Sequence, residues 1–196
     1  LSRVAFAPGP IARLAPIRED GSPLEINAAD FGDRDEAVFL GLADRSLLHY
    51  DLDTGEVTAE FQGFDASVSD IVYHAGTNTV LVASFNKVTL LNSDTLEVIL
   101  EMQHGAGTLV NTIDINADGT QALSGGLDGR VLLWDLAKGE QLLEMLGHAD
   151  AVNTVAFNTA GDRAASGAGD DTLIVWSLPD GGQITQARYG SDVTSI

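Results

Sequence analysis

An internal repeat limits what this 196-residue chain can fold into more than any other feature of its sequence. The segment SGGLDGRVLLWD begins at Ser124, and the similar segment SGAGDDTLIVWS begins 42 residues later, at Ser166. At the same spacing, Trp134 is followed by Trp176. A repeat period of roughly 20 to 50 residues indicates that one small unit is stacked several times. We therefore expect an array of similar units.

Each unit contains four short runs separated by turn residues. In the last complete unit, the runs are residues 153–157, 163–167, 172–176 and 183–187, with NTAGD, AGDD and LPDGG between them. Short runs punctuated by Gly, Asp and Asn predict antiparallel strands. The third run, TLIVW, is apolar almost throughout, which suits a strand covered on both faces by neighbouring sheets. We therefore predict four-stranded antiparallel units.

Two dipeptides and the period together resemble a known repeat family. Gly147 precedes His148 in one unit, and Trp134 precedes Asp135 at the end of a third run. These features resemble the WD40 repeat, whose period is roughly 40 to 45 residues and whose repeats form the four-stranded blades of a β-propeller. The resemblance is clearest over residues 104–178 and implies an all-β, WD40-type β-propeller.

The same pattern can be followed toward the N-terminus. KVTLLN, from Lys87, takes the place of RVLLWD, while Asp44 and Tyr50 align two periods ahead of Asp128 and Trp134. We therefore expect a single partial propeller across residues 1–196, with four full four-stranded antiparallel blades at 22–62, 66–102, 108–146 and 150–187.

Both ends of the chain suggest incomplete blades. Residues 3–16 fit a third and fourth strand, and SDVTSI at 191–196 resembles DAVNTV, the start of a first strand. We expect residues 1–21 to end one blade and residues 190–196 to begin another. Because an open arc leaves apolar blade faces bare, we expect closure by further blades of a longer chain, about seven in all, or by a second copy. The alternative is a five-bladed ring in which the two ends share a blade.

In the WD40 family, a Ser, His, Asp and Trp from one repeat form a buried hydrogen-bonded network. The resemblance implies two such sets: His104, Ser124, Asp128 and Trp134, then His148, Ser166, Asp170 and Trp176. A buried indole N–H needs an acceptor, and a serine hydroxyl can accept from it while donating to imidazole. The other imidazole nitrogen can then donate to the carboxylate. Each buried polar group would be satisfied, which is the condition for burying it.

The same residue types could form a hydrolase triad. That chemistry needs an exposed nucleophile, an oxyanion hole and a cleft. The sequence beside Ser124 and Ser166 supplies neither a strained nucleophile turn nor a pair of donors, and two successive copies suit architecture better than one active site. We therefore expect no catalytic, cofactor-binding or metal-binding residues.

The remaining two blades lack this network. In the second blade the four positions hold Phe64, Val82, Asn86 and Leu91, and in the first only Asp44 remains, with Leu40 and Tyr50 at the Ser and Trp positions. These blades must rely on apolar packing, and we expect them to be less stable. Hydrogen exchange should therefore be faster in residues 66–102 than in residues 108–187, and slower exchange in the former would contradict this expectation.

Charge and composition narrow the classes of partner. The formal net charge is −19, from 10 basic and 29 acidic residues, and the basic residues are scattered singly. Such a surface disfavours nucleic acids and anionic membranes and favours basic segments of proteins or peptides. The absence of cysteine excludes disulfides and thiolate metal sites. No apolar run could span a membrane and no signal peptide is visible, which favours the cytoplasm.

Other motifs have simpler structural interpretations. DLDTGE, at 51–56, starts like a calcium loop but then departs from that pattern, so we interpret it as a turn. The glycine-rich segments do not lead into a helix, as a phosphate loop would. His49 and His74 have no second ligand at metal spacing. DFGDRDE, at 30–36, predicts a solvated hairpin tip, with an acidic docking site for a basic peptide as the alternative.

These observations predict a non-catalytic scaffold or adaptor that binds proteins through loops at the propeller rim. The candidate contact residues are Asp65, Ser67, Phe85, Asn86, Leu127, Ala149, Asp150 and Gly169. The alternative is a regulatory or sensory propeller segment of a larger multidomain enzyme, such as a kinase or cytochrome fusion. An enzyme acting in the central channel is disfavoured, because first-strand positions lack clustered His, Asp or Glu.

Overall fold

The computed structural model describes residues 23–32 and 36–196 of the chain, and these residues form strands and turns with no helix. No segment of the described chain is therefore a helix able to cross a membrane. The strands of the first two sheets are β1 (Ile26–Phe31), β2 (Ala37–Leu42), β3 (Ser46–Asp51), β4 (Glu56–Gln62), β5 (Val68–His74), β6 (Thr79–Ser84), β7 (Lys87–Asn92) and β8 (Val98–Gln103). Those of the third and fourth sheets are β9 (Val110–Ile115), β10 (Gln121–Gly126), β11 (Arg130–Asp135), β12 (Glu140–Leu146), β13 (Val152–Phe157), β14 (Arg163–Ala168), β15 (Thr172–Ser177) and β16 (Gln183–Arg188).

Every sheet is a four-stranded antiparallel meander in chain order. The predicted all-β class and the four antiparallel four-stranded units are thereby confirmed. The predicted strands within residues 1–21 lie outside the described residues. Residues 190–196 contain no strand.

The same irregularity recurs in all four sheets. The pairing of the third strand with the fourth shifts register between Leu133 and Trp134 and between Val175 and Trp176. The equivalent shifts in the first two sheets occur at Tyr50 and Leu91. A bulge of this kind increases local twist and redirects the side chain beside it. Tyr50 and Leu91 therefore occupy the backbone position that tryptophan holds in the later sheets.

The sheets stack face to face and bury an apolar layer between each consecutive pair. Residues of the first and second sheets share one cluster, those of the second and third another, and those of the third and fourth a third. β11 is buried along RVLLW except at Arg130, whereas the outer strand β16 is exposed along its whole length. The first strands β1, β5, β9 and β13 contact one another in turn, and no comparable contact joins the described parts of the first and fourth sheets. The described sheets form an open arc.

Close packing of glycine against valine sets the spacing between sheets. Gly125 lies against Val152 so tightly that an added Cβ would lie 2.5 Å from Val152 Cγ1. Gly41 meets Val68 in the same way. The third such contact pairs Gly167 with Val193, which follows the last strand. Val193 therefore stands against the fourth sheet as Val68 and Val152 stand against the first and third.

Carboxylates on the first strands also join neighbouring sheets. Asp114 accepts a hydrogen bond from the backbone N–H of Phe157 at 2.7 Å, and Asp70 accepts one from Ile113 at 2.9 Å. The pKa of Asp70 and of Asp114 is raised, because burial disfavours the ionised form more than these donors favour it. The first strands of neighbouring sheets are thus linked by hydrogen bonds as well as by apolar packing.

Candidate functional site

The fourth sheet contains a network of polar contacts around Ser166. Its Oγ accepts a hydrogen bond from Trp176 Nε1 at 2.8 Å and lies 2.7 Å from His148 Nε2. His148 Nδ1 lies 3.3 Å from both carboxylate oxygens of Asp170 and 3.0 Å from Thr172 Oγ1. The structure thus brings together the four residues that the sequence pattern selects and adds Thr172.

Asp170 also joins two loops. Its carboxylate accepts hydrogen bonds from the backbone N–H groups of Ala149, at 2.7 Å, and Thr172, at 3.0 Å. Burial of the carboxyl acts to raise its pKa, but the hydrogen bonds from Thr172 and Ala149 together outweigh burial and lower it. The carboxylate therefore holds the β12–β13 connection against the β14–β15 hairpin.

The corresponding set in the third sheet is arranged differently. Ser124 Oγ accepts from Trp134 Nε1 at 2.8 Å and lies 2.7 Å from His104 Nδ1, so the imidazole presents its other nitrogen to serine. His104 Nε2 lies 3.5 Å from Asp128 Oδ1 and makes no hydrogen bond. Asp128 instead accepts from Arg130 Nε at 2.7 Å. Arginine therefore competes with histidine for the carboxylate, and the predicted histidine-to-aspartate bond is replaced by an ion pair on the loop.

Sequence reasoning missed both Arg130 and Thr172. Each lies two residues after the aspartate of its set, at the start of the third strand. Their shared offset was the available signal, since a side chain at that position faces the carboxylate across the hairpin turn. Their different chemistry explains why the two networks differ.

The burial of both serines bears on the triad interpretation. Ser124 and Ser166 are each 0% exposed, and each hydroxyl is engaged by an indole and an imidazole. A nucleophile must reach a substrate carbonyl. Neither hydroxyl opens onto a cleft that could admit one.

Burial of His104 makes a pH dependence expected. Burial lowers the pKa of this imidazole more than Asp128 raises it, and Arg130 lowers it further. A group with a lowered folded-state pKa contributes stability above its ordinary unfolded value, near 6.5 for histidine, and that stability is lost as pH falls through the folded value. We expect the free energy of unfolding to decrease below about pH 6.5, by at most about 1.4 kcal/mol per pH unit for this one proton.

Denaturant titrations at several pH values would measure this slope. His104→Asn keeps a polar group where Nδ1 meets Ser124 but removes the titrating imidazole, so the variant should show a shallower slope. If the free energy of unfolding of His104→Asn depended on pH as steeply as that of the parent, the pH dependence could not be assigned to His104. His49, whose pKa is also lowered mainly by burial, supplies a residual slope that both proteins share.

In the first two sheets, the equivalent positions are largely apolar and buried. Phe64, Val82 and Leu91 belong to one apolar cluster between the first and second sheets. Asn86 donates from Nδ2 to the carbonyl of Gly105 at 3.0 Å. Asp44 accepts from Ser46 Oγ at 2.6 Å within its own hairpin. Leu40 and Tyr50 are likewise buried in the first sheet. Whether these sheets are less stable remains a prediction.

The remaining sequence motifs form local structure. Asp51 accepts hydrogen bonds from the backbone and hydroxyl of Thr54, which lower its pKa and close the β3–β4 turn. His49 stacks on Phe39, with ring centroids 4.6 Å apart. His74 lies 2.9 Å from Thr77 Oγ1 through Nδ1. In the part of the chain that the structure describes, no group of three or more acidic or histidine side chains could hold a metal ion.

The eight predicted contact residues all lie in connections at one end of the sheets. In an antiparallel meander, the hairpin between second and third strands and the connection to the next sheet fall at the same end. We call this end of the sheets the rim. Its exposed apolar side chains include Phe85 and Leu127, and also Leu109, which is not among the predicted contact residues. The predicted contact residues in these connections are Asp65 and Ser67 before β5, Phe85 and Asn86 before β7, Leu127 before β11, Ala149 and Asp150 before β13, and Gly169 before β15.

Comparison with known proteins identifies the repeat. The family model described as WD domain, G-beta repeat, matches residues 97–135 and 139–177. A 41-residue segment is 46% identical to the small ribosomal subunit protein RACK1 of Medicago sativa, and equally so to that of Glycine max. The segment is 21% of this chain and 13% of the length of those relatives.

The matched segments relate to the sheets in a fixed way. Residues 97–135 run from β8 through β11, and residues 139–177 run from β12 through β15. Each segment therefore contains the outer strand of one sheet and the three inner strands of the next. Residues 97–135 and 139–177 are WD40 repeats, and the four described sheets form an open arc of antiparallel blades that is consistent with a WD40-type β-propeller.

Proposed function

We propose that this chain is a non-catalytic scaffold or adaptor that binds a protein or peptide through its rim loops. The proposal rests on the contrast between the burial of the two serines and the exposure of the side chains on the rim. The serines that could serve as nucleophiles are buried inside sheets, whereas apolar and acidic side chains are exposed on the rim. The two WD40 repeats and the similarity to RACK1 support the same function.

The electrostatics favour a basic partner over nucleic acid or an anionic membrane. A net charge of −19 attracts cationic segments and speeds their association, especially at low salt. Asp65 and Asp150 are exposed on rim connections. A partner that binds here should therefore bind less well as salt increases.

We also propose that residues 190–196 begin a further blade. Val193 repeats a contact that first strands make elsewhere, because its carbonyl accepts from Asn153 Nδ2 at 3.2 Å. Its N–H also donates to the Ala168 carbonyl at 3.1 Å. Asn111 makes the equivalent bond to the Val152 carbonyl at 3.1 Å. These matching contacts support completion of the arc by further blades or by a second copy.

Capture experiments with matched variants test the scaffold function. The immobilised chain should retain a protein at low salt that is released at high salt. A rim variant, Leu127→Ser with Asp150→Asn, should lose that protein, while Leu142→Ser on the outer strand β12 should keep it. Failure to capture any protein at any salt, or equal capture by the rim variant, would overturn the proposal.

A further inference from the structure

We infer that Phe85, Leu109 and Leu127 form a docking surface for an extended segment in which apolar side chains alternate with basic ones. This surface, called the rim patch, deepens the proposed scaffold function and rests on it. The three side chains are 39%, 41% and 46% exposed, respectively. They belong to the second sheet, the third sheet and the connection between them.

Backbone hydrogen bonds place the three residues side by side. Val110 donates its N–H to the Phe85 carbonyl at 2.7 Å, which fixes Leu109 beside the β6–β7 hairpin. Leu127 donates its N–H to the Leu109 carbonyl at 2.9 Å. The bond from Asn86 Nδ2 to the Gly105 carbonyl anchors the same hairpin. The patch is therefore carried on a bonded backbone that needs little ordering when a ligand binds, which favours affinity.

The backbone at Phe85 indicates that this side chain is kept for something other than folding. Phe85 has φ of +53°, in the left-handed region that disfavours bulky residues, and it lies in a two-residue hairpin. Leu96 has a similar φ of +55°, but its side chain is buried in an apolar cluster that offsets the strain. Phe85 has no such burial. Strained residues exposed at a surface suggest function, and an aromatic anchor suits binding.

The charges around the patch select a basic ligand. Lys87 Nζ lies 3.0 Å from Asp65 and 3.5 Å from Glu101, so one cation faces two carboxylates. Arg130, three residues after Leu127, likewise contacts Asp128 and Glu144. Two carboxylates surround each cation, which leaves a net negative charge close to Phe85 and close to Leu127. A ligand with apolar residues flanked by arginine or lysine complements this arrangement.

A defined peptide tests the inference. The probe is a fluorescein-labelled Gly-Arg-Leu-Arg-Phe-Arg-Gly, measured by anisotropy on the 196-residue chain. Phe85→Gly and Leu127→Ser should each weaken binding by about 10-fold or more, approaching the roughly 30-fold loss that defines a hot-spot residue. Leu142→Ser is the matched control, since Leu142 is 44% exposed but lies on β12, and it should bind like the parent.

Stability measurements separate binding from folding. Glycine accepts the backbone conformation at position 85, so Phe85→Gly should unfold at the same temperature as the parent or higher while binding more weakly. A peptide with serine in place of leucine and phenylalanine should bind at least as poorly as the variants do.

Three results would overturn the rim patch. They are full binding by Phe85→Gly or Leu127→Ser, equal binding of the serine peptide, and absence of peptide binding. Capture of a protein that is lost in Asp150→Asn alone would, in any of these cases, leave the scaffold function standing. If that capture were lost as well, both the rim patch and the scaffold function would be rejected.

Discussion

Replacing Trp176 with alanine is expected to lower the free energy of unfolding by about 3 to 5 kcal/mol, the range for truncating a large buried aromatic side chain. Trp176 is fully buried in the apolar layer between the third and fourth sheets. Its N–H also supplies one of the two hydrogen bonds of Ser166 Oγ. Truncation therefore leaves a cavity and weakens a polar network at the same point.

Chemical denaturation would measure this loss, and hydrogen exchange would locate it in residues 152–188. Ile184→Ala is the matched control, because Ile184 is exposed on β16 and its truncation should change stability by about 0.5 kcal/mol or less. Ser166→Ala should cost less than Trp176→Ala, about 1 to 3 kcal/mol, because it leaves two polar groups unpaired but almost no cavity. A Trp176→Ala variant as stable as Ile184→Ala would contradict the buried network.

Replacing Gly125 with valine is expected to disrupt the junction between the third and fourth sheets, at a cost of about 1 to 3 kcal/mol or more. The added Cβ would lie 2.5 Å from Val152 Cγ1 and 2.9 Å from Thr112 Cγ2. Both obstacles are buried side chains of packed strands, which cannot swing into solvent.

A second substitution can test this cause. Val152→Ala removes the Cγ1 atom that blocks position 125, so adding it to Gly125→Ala should recover part of the stability that Gly125→Ala loses. Gly190→Ala is the control, since an added Cβ there meets nothing within 4 Å. Thermal unfolding of the parent, Gly125→Ala, the double variant and Gly190→Ala would decide. A double variant no better than Gly125→Ala would show that the valine contact is not what limits this position.

The repeat pattern could predict the sheets because the same periodicity controls pairing and burial. Runs such as RVLLW alternate with turn residues at fixed intervals, and within each sheet every strand pairs with its neighbour in sequence. Ser124 and Ser166 could be placed beside their tryptophans for the same reason, since both positions are fixed by strand register. The residue pattern within one repeat was therefore sufficient to predict the strand pairing and the contacts between serine and tryptophan.

Side-chain competition was harder to predict. Whether Asp128 pairs with His104 or Arg130 depends on rotamers and on Glu144, which lies on another strand. The exposure of Leu109 depends on how the connection between two sheets folds back on a hairpin. Neither is encoded in the spacing of residues along one unit, so the sequence pattern identified the networks but not their final bonds.

The one-strand offset between the WD40 repeats and the sheets affects how this chain can be divided. Excising residues 139–177 would remove β12 from the third sheet together with three strands of the fourth, and would leave β16 without its partner β15. Cutting between Gln62 and Val68, between Gln103 and Val110, or between Leu146 and Val152 would keep every meander whole. Fragments for expression, or insertion points for a fusion, are therefore best chosen by meander and not by sequence motif.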